Sequence, residues 1–67
     1  MEKYGVILTK GNEITVLGTY AAKEAALEAK DLQRCLHKGE DCHIDAIKGE
    51  FDENDRLLYN RYRIYYR

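Results

Sequence analysis

One stretch constrains this chain more than any other. From Lys23 to Lys38 it runs without glycine or proline and is dominated by Ala, Leu, Glu, Lys, Gln and Arg, the strongest helix formers. Such a segment predicts one helix, and the chain on either side must fold around it. Ala22, Ala25, Ala29, Leu32 and Leu36 recur at spacings of three and four, which predicts an inward face. Ala26, Lys30 and Gln33 then flank that face. Gly39 follows Lys38 and suits the left-handed residue that ends a helix.

The flanking segments have the opposite character. Tyr4–Lys10 and Glu13–Thr19 are rich in Val, Ile, Leu and Thr, which suit strands. Gly11-Asn12 lies between them, and glycine takes positive φ at no steric cost, so a two-residue hairpin is expected. Beyond the helix, Cys42–Phe51 and Leu57–Arg67 read as two more strands around the polar turn Asp52-Glu53-Asn54-Asp55. The predicted fold is a small α+β domain of order ββαββ. An antiparallel sheet carries one helix on one face.

Sixty-seven residues suffice for a single domain spanning 1–67 and bury only a thin core. Alternation assigns Tyr4, Val6, Leu8, Ile44 and Ala46 to one sheet face, with Ile14 and Val16 sharing a face of the partner strand. In the last strand, Leu58, Asn60, Tyr62, Ile64 and Tyr66 are assigned beneath the helix. The opposite face then shows Ile7, Leu17, Ile47, Tyr59 and Tyr65, with no second helix to cover it. An open apolar face on a thin domain predicts self-association, most simply as a homodimer.

Charge is distributed unevenly. Residues 1–55 hold seven Lys or Arg against twelve Asp or Glu, a balance of −5, whereas residues 56–67 hold four Arg and no acid. Tyr59, Arg61, Arg63, Tyr65 and Arg67 alternate onto one strand face and form the candidate interaction surface. Tyr and Arg are enriched at protein interfaces. Interleaved on a strand they also suit stacked bases and phosphates, so a nucleic-acid-binding module is the alternative. The acidic remainder weighs against it, because phosphate neutralisation dominates such affinity.

Catalytic residues and cofactors are not expected. The chain has no serine, and none of its Cys, Thr, Tyr or Lys residues sits in a recognisable activated setting. Cys35, His37, Cys42 and His43 are the metal-like residues, but the predicted helix and strand point them apart, so no metal site is assigned and a small metal-binding protein stands only as a remote alternative. His43 and Asp45 share a strand face within reach of one another. The N-terminal residues lack signal-peptide character and no long apolar run spans a membrane, so a cytoplasmic protein with reduced Cys35 and Cys42 is expected.

Overall fold

The computed structural model describes the backbone of residues 2–64 and the side chains of residues 2–58. Its elements are β1 (Glu2–Lys10), β2 (Glu13–Tyr20), α1 (Lys23–Leu36), β3 (His43–Phe51) and β4 (Leu57–Ile64). All strand pairs are antiparallel, in the spatial order β2-β1-β3-β4. The fold is therefore the expected small α+β domain of order ββαββ. No helix among the described residues is long and apolar enough to cross a membrane.

The first hairpin follows from its turn. Gly11 has φ +61 while Asn12 is not left-handed, the pattern of a type II′ turn. A two-residue loop sets Lys10 opposite Glu13 and hence Ile7 opposite Val16. The same count carries Leu17 to the helix side with Val6, where a bulge between Val6 and Ile7 leaves it as the extra residue. This reverses the expected faces of β2: Val16 packs with Ile7 and Leu17 packs under the helix. The expected faces fail because a two-residue turn pairs odd-numbered residues with even-numbered ones, so Ile7 shares its face with Val16 and not with Leu17.

The helix is turned by about one residue step from its expected phase. Ala26 and Lys30 are its buried residues, and Ala26 packs with Val6, Ile44 and Ala46, with Leu27 and Ala29 beside them. Small side chains at Ala26 and Ala46 let backbone approach backbone. Ala29 packs against the sheet as expected, but Leu32 and Leu36 are 59% and 65% exposed. Lys30, expected at the flank, is only 1% exposed, because its hydrocarbon stem covers apolar surface as an aliphatic side chain would. Burial lowers its pKa first and the Arg34 charge second, while Asp45 and Asp31 pull the other way. Arg34 Nε and Nη2 both donate to the Ile44 carbonyl, at 3.2 and 3.1 Å, fastening the helix end to the start of β3.

The second sheet face has its own core and is closed where an open surface was expected. Ile47 is 0% and Ile7 6% exposed, and they cluster with Phe51, Val16 and Leu57. The sheet curls around this cluster. Irregularities at Val6/Ile7, Lys48/Gly49 and Glu50/Phe51 sharpen its twist. The Phe51 ring lies over Gly5, where a Cβ would sit 2.5 Å from Phe51 Cζ. The β3–β4 turn completes the curl. Asp52 Oδ1 accepts from the N–H groups of Asn54 and Arg56, both at 2.9 Å, and Asp55 takes φ 60. That backbone turn aims Asp55 Oδ1 at Thr19 Oγ1, which donates at 3.0 Å, and at Lys3 Nζ, 3.5 Å away. A β3–β4 residue thus reaches β2, across the width of the sheet. The bulge at Glu50/Phe51 also corrects Leu58, which lies outside the core where Leu57 is packed.

Candidate functional surfaces

The residues assigned to the C-terminal interaction surface divide at the limit of what is described. Tyr59, Arg61 and Arg63 belong to β4, with Tyr59 opposite Glu50 and Arg63 opposite Ile47. Their side chains, together with Tyr65 and Arg67, lie outside the described residues. β4 and β2 are the two outer strands of the described sheet.

The outer face of α1 is the apolar surface that sequence pattern did not identify as a surface. Ala22, Ala25, Ala29, Leu32 and Leu36 do form a continuous stripe, as the spacing demands, but its larger members face outward. Exposed leucines one turn apart on a helix mark a contact surface more than isolated apolar residues do. The stripe is graded in size, with alanines in its first half and leucines in its second. Glu24 and Glu28 accompany the alanine half, and Arg34 and Lys38 the leucine half.

The curled face carries two shallow hollows beside Lys3. One, of about 300 Å³, is lined by Lys3, Phe51, Asp52, Glu53 and Leu58. The other, of about 290 Å³, is lined by Glu2, Lys3, Thr19, Tyr20 and Ala21. Lys3 and Thr19, from the linings of these hollows, both engage Asp55, at 3.5 and 3.0 Å.

The end of α1 rearranges the metal-like residues. His37 is the C-cap of the helix, and Gly39, at φ +89, turns the chain back. His37 Nδ1 lies 3.1 Å from Glu40 Oε2. Ligand atoms of His37, Glu40 and Cys42 all fall within 4.8 Å of one another. Sequence reasoning missed Glu40, because its proximity comes from the turn and not from periodicity. Cys35 is exposed and stands outside the group, and His43 Nε2 instead meets Asp45 Oδ2 at 3.3 Å, the contact expected from their shared strand face. Searches among protein families, curated proteins and solved structures find no match for this chain.

Proposed function

We propose that this chain is a small non-enzymatic interaction protein that self-associates through the outer face of α1. The observation that carries the reading is the exposure of Leu32 and Leu36 on a stripe with heptad-like spacing. An antiparallel pairing of two copies suits that stripe. It sets Ala25 against Leu36 of the second copy, a small side chain against a large one, with Leu32 beside them. The same register brings Glu24 level with Lys38 of the second copy. The helix dipoles also oppose one another.

A contact along a fourteen-residue helix, about 21 Å long, lies at the small end of interface sizes, so a weak, reversible dimer is expected. Sedimentation equilibrium from about 5 to 500 μM tests this, because a weak dimer must dissociate on dilution. A mass rising from monomer toward dimer is expected; a monomer mass throughout overturns the proposal.

The four arginines of residues 56–67 favour a second reading, in which Tyr59, Arg61, Arg63, Tyr65 and Arg67 bind nucleic acid. Anisotropy titrations with single- and double-stranded DNA and RNA at two salt concentrations test it. Binding that weakens steeply with salt supports it, and the absence of binding at low salt removes it.

A further inference from the structure

We infer that His37, Glu40 and Cys42 form an open three-ligand site for a zinc-class divalent cation. The donors are an imidazole nitrogen, a carboxylate oxygen and a thiolate sulfur, a mixed set that suits zinc better than magnesium or calcium. Tetrahedral coordination at ordinary zinc bond lengths separates ligand atoms by roughly 3.3–3.6 Å. The His37–Glu40 pair is already at 3.1 Å, and no ligand atom is more than 4.8 Å from another. Closing the set therefore requires side-chain movement on the order of 1 Å and no refolding.

The backbone holds the three residues in place. The Glu40 N–H donates to the His37 carbonyl at 3.1 Å, and the Cys42 N–H to the Glu40 carbonyl at 3.0 Å. The left-handed Gly39 between His37 and Glu40 makes the reversal possible. The location also favours a cation electrostatically, since the carbonyl end of α1 carries the negative end of the helix dipole. On binding, the Cys42 thiol gives its proton to solvent and its sulfur bonds the metal. The His37 ring binds as the neutral imidazole through its Nδ1 edge, exchanging the contact with Glu40 for a shared ion. The fourth position is left to water.

The test is titration of the reduced 67-residue chain with Co²⁺ and then Zn²⁺, in a buffer free of thiols. One Co²⁺ per chain is expected, with the near-ultraviolet charge-transfer band of a cobalt–thiolate bond, displaced by an equivalent of Zn²⁺. His37→Ala and Cys42→Ala should each weaken binding at least tenfold, and Cys42→Ala should abolish the band. Cys35→Ala and His43→Ala should leave both affinity and band unchanged. Cys35 lies in the last turn of α1, His37 at its C-cap, and Cys42 and His43 at the entry to β3, and far-ultraviolet circular dichroism checks that each variant is folded. Absence of the band, or a band that survives Cys42→Ala and disappears with Cys35→Ala, overturns the site.

Discussion

Gly5 is the position where the packing of the curled face can be tested by a single methyl group. In an ordinary strand, replacing glycine by alanine stabilises by roughly 0.5–1 kcal/mol, because glycine loses more backbone freedom on folding. Here a Cβ would stand 2.5, 3.1 and 3.3 Å from Phe51 Cζ, Cε1 and Cε2. The ring must give way, yet Phe51 is packed against Ile7 and Ile47, so any movement toward the shallow hollow beside Lys3 breaks those contacts. Overpacking of this kind costs about 1–3 kcal/mol. Gly5→Ala is therefore expected to destabilise, lowering Tm by roughly 4 °C or more in a domain of this size. Phe51→Leu shortens the ring and itself costs about 1–2 kcal/mol through the cavity it leaves. In that background the added methyl has room, and Gly5→Ala should be neutral or stabilising. Urea unfolding of the two single variants and the double variant closes the cycle. A coupling energy of about 1 kcal/mol or more is expected. If Gly5→Ala stabilises the parent chain, the ring does not lie over Gly5 and the described core of the second face is wrong.

Three further outcomes follow from single sites. Gly11 has φ +61 and open space around its Cβ position, so Gly11→Val should cost about 1–2 kcal/mol from backbone strain alone; equal denaturation midpoints would remove the type II′ turn. Lys30 holds its proton less tightly folded than unfolded, so stability should rise with pH through its lowered folded pKa until the unfolded value of 10.5. Lys30→Met should abolish that rise and gain about 1 kcal/mol at neutral pH, whereas a loss of stability at neutral pH would show that the charge is a net contributor. The Asp52 carboxyl is held below its ordinary 3.8 chiefly by the Arg56 N–H, so its contribution is present above that pH and lost as pH falls through the lower folded value. Asp52→Asn should lower the neutral-pH plateau while shifting the acid-unfolding limb toward lower pH relative to that plateau, because the variant has no carboxylate there to protonate, and superimposable limbs for the two proteins would contradict the hydrogen bonding of the turn.

Element order was legible because the helix formers of 23–36 and the β-branched flanks agree with the final structure at the level of local propensity. Face assignment was less so. Alternation carried through β1 and β3, where Val6, Ile44 and Ala46 meet beneath the helix. It failed in β2, where the two-residue turn sets Ile7 opposite Val16 and not Leu17, and at Leu58, where a bulge changes the count by one. The phase of α1 was misread because Lys30 counts as polar in any periodicity, although its stem is buried, while Leu32 and Leu36 count as core although they are exposed. A second face without a second helix could not be read as closed from local pattern. Its closure depends on Phe51 crossing to Gly5 and Asp55 reaching Thr19 over thirty-six positions of sequence. The metal-like group was hidden for the same reason, since it is formed by a turn at Gly39.

The chain is proposed to meet a second copy through the outer face of α1 and not through its last strand. Sedimentation equilibrium of three proteins decides it: the parent chain, Leu32→Glu with Leu36→Glu, and Tyr65→Glu. Leu32 and Leu36 are solvent-exposed in the single chain, so glutamate there should leave the fold intact while removing the apolar contact. The expected result is dimer formation by the parent and by Tyr65→Glu, and a monomer at every concentration for the doubly substituted helix. Dimers that persist in the helix variant and vanish with Tyr65→Glu would contradict the claim and transfer the contact to the C-terminal strand.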